Sequence, residues 1–371
     1  MSLAGASLPA VPRPHVAGVL VGSGGAGLLL LVVLALPDSA LPGVLMASLL
    51  LGGAFVMLDF GFVGGFRALL ERGDGRAVGA SFLMPAVAAL AIVPMGSLLE
   101  GHGRFVAPVG TSLVVGAAMF GVGMQIANGC GSGVLVAAGQ GSRRMWVTLP
   151  FFCLGGVIGS LLLPSAMALP SLGEADLVAW LGPWGALLAI EAMLLVVALV
   201  VLRGARPAWS ALRNAAAIGA LAALLFLASG MPWGITAGLT LWAAKLVQGM
   251  GFDLATQSFW AEAWARAALE GPVFASHSSL SNFGLLLGAL IAAAAKGQLR
   301  HGTPLGRRGV AGAVLGGLLM GIGARLSFGC NVGAFLGGAS SASLHGLVWF
   351  LAVLPGCWLG IRLRPVSGLP R

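Results

Sequence analysis

Two cysteines, Cys130 and Cys330, stand in matching contexts 200 residues apart, Gly129-Cys130-Gly131-Ser132-Gly133 and Gly329-Cys330-Asn331-Val332-Gly333. A thiol in apolar surroundings stays protonated, and it is then a weak S–H donor and a weak sulfur acceptor. Such a group suits a soft, sulfur-bearing anion, which it holds without trapping. Weak successive sites are what passage through a protein requires. A serine would donate more strongly, and a thiolate would repel the anion.

The glycines explain how such a thiol would be presented. They interrupt a helix, at about 1 kcal/mol each relative to alanine. A fresh helical turn after each interruption would offer free N–H groups and a positive dipole end, which favour anions. Asn331 adds tolerance for a left-handed backbone and a side-chain donor. Arg325, five residues before Cys330, is close enough to draw an anion towards the break. It is equally readable as a helix-end arginine whose charge reaches the interface. The two breaks are also what glycine-rich kinks with small filler cysteines would look like.

The register of the match argues for duplication. With one offset of 200 and no gap, Gly121, Gly123, Gly129, Cys130, Gly133 and Gly156 fall on Gly321, Gly323, Gly329, Cys330, Gly333 and Gly356. Each half therefore brings one cysteine to a break in a helix.

Composition says what solvent surrounds those helices. Apolar residues make up 58% of the 371 and charged residues 8%, with a mean hydropathy of +1.00, far from a soluble domain's roughly one quarter charged. The expected fold is all-α and polytopic in a membrane, and soluble classes are excluded. Apolar spans suggest themselves at 16–36, 42–58, 78–99, 109–128, 145–163, 183–202, 212–229, 233–250, 277–298, 309–328 and 343–362. Segments 60–71, 129–141, 252–270 and 329–341 are too short or too polar to cross. The sixty glycines fit close helix packing.

The formal charge of +9 is carried in short loops and marks the cytoplasmic side rather than a nucleic-acid surface. Arg67, Arg72, Arg76, Arg143, Arg144, the loops Arg203–Arg213 and Lys296–Arg308, Arg13 with the N-terminus, and Arg362, Arg364 and Arg371 fall inside; Arg104 is the exception. The acidic loop 164–182 reads as external. The Cys130 break then approaches from the cytoplasm and the Cys330 break from outside, an inverted repeat. Counting 212–250 as two crossings spoils this parity, so one of them should not cross fully, leaving ten or eleven crossings in doubt. The expected organisation is an additional N-terminal span in 1–40, a first half in 41–163, linker spans in 164–232, a second half in 233–365 and a tail in 366–371.

Other reactive residues argue for little chemistry. Cys153 and Cys357 lie in apolar runs as small packing residues, and neither a metal site nor a disulfide framework is indicated. Trp233, Trp242, Trp260 and Trp264 read as interfacial belts. Lys245 needs a partner, with Asp253 and Glu191 as candidates. His277 and His345 read as loop or interface residues. No nucleotide-binding motif or cofactor site is present.

GARLSFGCNVG at 323–333 and NGCGSG at 128–133, with Trp233–Thr236 (WGIT) and Gly251–Asp253 (GFD), resemble the YeeE/YedE family of sulfur transporters. The likeness extends over about Leu41 to Pro365. It implies an hourglass of inverted halves with re-entrant half-helices, a thiosulfate path lined by cysteines in the inner (plasma) membrane, and a small cytoplasmic sulfur-carrier protein as partner. By motif, Cys130 and Cys330 take the two central thiol positions. The family also has a Gly-Phe-Cys turn, which here reads Gly61-Phe62-Val63. A third thiol is thus missing, which points to a different sulfur compound or a weaker entrance site. The sequence reading favours a permease for thiosulfate or a related sulfur anion. It leaves open a membrane sulfurtransferase carrying persulfide on cysteine, or a structural membrane subunit.

Overall fold

In the computed structural model, which describes residues 14–299 and 304–370, the chain is almost entirely helical. Arg13, positions 300–303 of the basic loop and Arg371 lie outside the described residues. The helices are α1 (Val16–Leu34), α2 (Leu41–Met57), α3 (Phe62–Arg72), α4 (Arg76–Ser81), α5 (Leu83–Leu98), α6 (Thr111–Ala127), α7 (Gly131–Gly139) and α8 (Arg143–Met167). There follow α9 (Leu177–Leu202), α10 (Trp209–Ser229), α11 (Thr236–Gly249), the short α12 (Ser258–Ala261) and α13 (Ala263–Glu270), α14 (His277–Ala295), α15 (Arg307–Leu326), a π-helix Asn331–Gly338 and α16 (His345–Leu363). Two short strands, β1 (Pro108–Gly110) and β2 (Ser171–Glu174), pair antiparallel in the loops.

Among the described residues nine helices are long and apolar enough to cross a membrane, or ten if α2 and α3, bent by 42°, form one span. Their bounds lie within several residues of the apolar windows. Segment 233–250 is the one that falls short, because α11 has only 14 residues and a crossing takes about 20. The Cys130 and Cys330 breaks sit inside two long interrupted spans, Thr111–Gly139 and Arg307–Gly338. Among the described helix pairs that are jointly long and apolar enough to cross, α2 with α3 is the one bent by more than 40° at a short break.

Close packing organises the centre. α15 lies against α6 and α8, and α16 against α6. A Cβ added to Gly123 would come within 2.7 Å of the Gly316 carbonyl oxygen, and one on Gly323 within 2.6 Å of the Gly116 oxygen. These two contacts exchange partners at the same offset of 200. The pair Gly121 against Gly356 and Gly321 against Gly156 does so again. Where lipid supplies no hydrophobic drive between helices, such backbone approach supplies the dispersion contact that holds them.

Polar groups concentrate at the ends. Arg144 donates to the Ala127 and Ile126 carbonyls at 2.9 and 2.6 Å, and Arg364 to the Gln125 carbonyl at 3.1 Å and Asn128 Oδ1 at 3.0 Å. Both arginines therefore satisfy the orphan carbonyls at the C-terminus of α6. Arg104, the exception in the charge distribution, is neutralised at the opposite end. It grips both oxygens of Asp176 at 2.6 and 2.8 Å and the Ser341 carbonyl at 3.2 Å. Burial works to raise the pKa of Asp176, but the bonds from Arg104 and the Val178 N–H outweigh it and hold the carboxyl below its usual range.

Candidate functional site

At the first break α6 ends on Asn128, whose left-handed backbone (φ 64°) turns the chain, and α7 restarts with Cys130 at its N-cap. The Gly133 N–H donates to the Cys130 sulfur at 3.3 Å, and the Ser132 hydroxyl lies 3.5 Å from it. The Phe62 backbone also reaches the sulfur. Position 63, where the resemblance places a further thiol, thus adjoins this break. Its occupant is Val63, at the start of α3.

The second break repeats the backbone. Phe328 is left-handed (φ 60°), 200 residues after Asn128, and Cys330 is the N-cap of the following helix. Phe328, rather than Asn331, takes the left-handed conformation, because the turn is completed before Asn331 opens the new helix. That helix is a π-helix, a wide and rare form that recurs at functional sites. Gly329 is needed because a Cβ there would lie 2.8 Å from the Gly333 carbonyl carbon. Both polar atoms of the Asn331 amide are buried without a hydrogen-bond partner.

The two breaks meet. A Cβ on Gly131 would lie 2.7 Å from the Cys330 sulfur, so that sulfur rests against the residue following Cys130. Both thiols are buried, at 1% and 0% exposure. Among the sequence-predicted residues, Gly129, Cys130, Gly131, Ser132 and Gly133 come together with Gly329, Cys330, Asn331 and Gly333. Arg325 does not touch the thiols by any contact the structure records; it stands in the last turn of α15 with its guanidinium carbon 4.5 Å over the Phe259 ring. Its Nε is buried without a partner.

A cavity of about 750 Å³ opens beside the second break, reaching Gly333, Phe328 and Arg325. Its walls include Trp233, Trp260 and Trp264, three of the four tryptophans expected in interfacial belts. Trp233 and Trp260 are in fact 3% and 2% exposed. The apolar patterning could not reveal this, since a buried and an interfacial tryptophan look alike in sequence. A nearer signal was Trp233-Gly234, standing just before the short α11. His277, at the cavity rim, bonds through Nε2 to Asp38 at 2.8 Å. Lys245 is satisfied by the Leu269 and Gly271 carbonyls at 2.6 and 2.5 Å, which replace the carboxylates proposed for it. Main-chain oxygens at the end of α13 were closer than any acid.

Cys153 and Cys357 are buried and free, as are the other two cysteines. Among the described residues no group of three or more metal-ligating side chains occurs.

Long apolar spans interrupted at glycine-cysteine breaks, with small polar groups gathered there, define a polytopic membrane protein. The chain belongs to the Sulphur transport family, whose model matches residues 59–359. It is 28% identical over 264 residues to the thiosulfate transporter TsuA of Spirochaeta thermophila, covering 66% of this chain and 75% of that protein. It is 30% identical over 167 residues to the probable transporter YedE of Escherichia coli, covering 44% of this chain and 40% of YedE. The YedE of Salmonella typhimurium matches to the same extent. The chain thus aligns with well under half the length of the YedE proteins.

Proposed function

We propose that this chain is a permease importing thiosulfate or a related sulfur-containing anion, handed across the bilayer centre by weak hydrogen bonds with the Cys130 and Cys330 thiols. The observation that carries the reading is the seating of the Cys330 sulfur against Gly131. Protonated sulfur from each half is offered at one place, where a soft anion exchanges one weak donor for the next. Gly129, Gly131, Ser132, Gly133, Gly329, Asn331 and Gly333 shape that passage, and Arg325 supplies the positive field on its way in.

The halves 41–163 and 233–365 are inverted copies, a reading supported by the contacts that exchange partners at the 200-residue offset. Segment 1–40 is an addition, 164–232 a linker and 366–371 a tail. The arginine-rich end faces the cytoplasm and the end bearing Arg104 and the cavity faces outward, with the inner membrane as the site of action. Passage needs no covalent step by the chain. A small sulfur-carrier protein would receive the anion at the arginine-rich end.

Uptake of labelled thiosulfate, sulfite, sulfate and sulfide into vesicles tests the reading. Thiosulfate or a close relative should enter in preference to sulfate, and Cys130→Ala or Cys330→Ala should abolish that entry. Unchanged uptake in both variants refutes it.

A further inference from the structure

The outer cavity is far larger than an inorganic sulfur anion needs, and its lining is of the wrong kind for one. A volume of about 750 Å³ belongs to the range of pockets that enclose organic molecules, roughly 300–1,000 Å³, mostly apolar with a few placed polar groups. Here the apolar part is aromatic: Trp233, Phe259, Trp260 and Trp264 stand on the wall. A small, strongly hydrated dianion gains nothing from indole faces, whereas a flat apolar body stacks on them.

Among the polar lining, the unpartnered buried atoms are of one kind. Two lining residues carry buried polar atoms with no partner, Arg325 Nε and Trp233 Nε1, and both are donors. Among the described lining residues there is no carboxylate. Arg325 spends the face of its guanidinium on Phe259 at 4.5 Å, which leaves its edge for an acceptor. A buried donor left without an acceptor is costly, so two of them in the wall of an aromatic chamber call for an acceptor-rich head on an apolar body.

We infer that the outer cavity binds an organic sulfur monoanion, a sulfonate or S-substituted thiosulfate, with its oxyanion head towards Arg325 and Trp233 and its apolar group against Trp260 and Trp264. The choice of sulfur as the head atom rests on the proposed permease reading; the demand for an aromatic monoanion rests on the cavity. Such a ligand occupies the vestibule above Cys330 and stands in the way of the inorganic anion.

The test is calorimetric titration of the purified full-length protein in detergent with benzenesulfonate, benzoate, methanesulfonate and benzyl alcohol. Benzenesulfonate should bind at least tenfold more tightly than methanesulfonate, which lacks the ring, and than benzyl alcohol, which lacks the charge. Arg325→Gln should weaken benzenesulfonate at least tenfold while Arg325→Lys weakens it less, which separates loss of charge from loss of fold. Trp264, 60% exposed, tolerates replacement, and Trp264→Ala should weaken benzenesulfonate several-fold without changing methanesulfonate. Methanesulfonate or benzyl alcohol binding as tightly as benzenesulfonate overturns the inference, as does indifference to Arg325→Gln. Benzoate binding as tightly as benzenesulfonate overturns the sulfur head, and that outcome leaves thiosulfate uptake through the cysteines to be judged by its own assay. Failure of uptake in turn leaves the benzenesulfonate titration standing on the cavity.

Discussion

The two cysteine breaks share a turn and differ in what surrounds and follows it. Each ends a helix on a left-handed residue, Asn128 or Phe328, and restarts with cysteine as N-cap. At the first, the sulfur already accepts from Gly133, Ser132 lies beside it, and Arg144 and Arg364 are consumed in capping α6. At the second, Asn331 and the Arg325 Nε have no partners, the helix is widened to a π-helix, and Gly333 opens on a cavity. The cap of the first break is satisfied and holds its cysteine fixed, although Gln125, five residues before it, has no partner. An unsatisfied break is poised to receive something, and the buried donors there are the cost of that readiness.

The sharpest way to break this comparison is at the point of contact. Gly131→Ala sets a methyl carbon 2.7 Å from the Cys330 sulfur, and overpacking of about 1–3 kcal/mol corresponds to roughly five- to 150-fold in uptake. Gly27→Ala, in α1 and away from the breaks, is the control, because nothing lies within 4 Å of a Cβ there; its uptake should stay within about twofold, since open space exacts no packing cost. Equal loss in both variants would remove the claim that the halves meet at Gly131.

Position 325 of the second half corresponds to position 125 of the first, where Gln125 is buried and its amide has no partner. Arg325→Gln therefore makes the second half copy the first. Uptake of a sulfur anion should fall about tenfold, the worth of one charge-assisted contact, and the loss should appear in half-saturation more than in maximal rate. A variant with wild-type half-saturation would contradict a role for the charge. A smaller effect is expected from Val63→Cys, which adds a thiol next to the Phe62 backbone that touches Cys130. Thiosulfate uptake should rise a few-fold, about 0.5–1 kcal/mol, the net worth of one ordinary hydrogen bond. No rise would show that this entrance does not limit passage.

Much of the fold was legible because a membrane span announces itself by composition alone. The eleven apolar windows map onto helices, of which α11, in segment 233–250, has only 14 residues against the about 20 that a crossing takes. The cysteine breaks were legible because the same Gly-Cys context recurs at one offset of 200 in the sequence. Arg325 beside Phe259, and the tryptophan wall, were not: a long apolar run does not say which face meets lipid and which meets a chamber. The Lys245 contacts were equally hidden, since main-chain oxygens carry no sequence signature. The β1–β2 pair arises from loops brought together by the helices, which local propensity in three or four residues does not foretell.

The least effect concerns the end bearing Arg104, where Arg104 and Asp176 tie loop 100–107 to the start of α9 and to Ser341. A carboxyl held below its usual range contributes stability that is complete above that range and is lost as pH falls through its folded value. The difference in thermal midpoint between wild type and Asp176→Asn should therefore be constant near neutrality and shrink below about pH 4. A difference that grows on acidification would contradict the ion pair.

Most direct is a cycle of serine replacements at the two thiols, read as initial uptake of labelled thiosulfate by vesicles. If one anion touches both sulfurs at one barrier, the losses are coupled: Cys130→Ser and Cys330→Ser each remove most uptake, and the double variant is little worse than either. Wild-type uptake in either single variant, or losses that simply multiply in the double, would contradict the account.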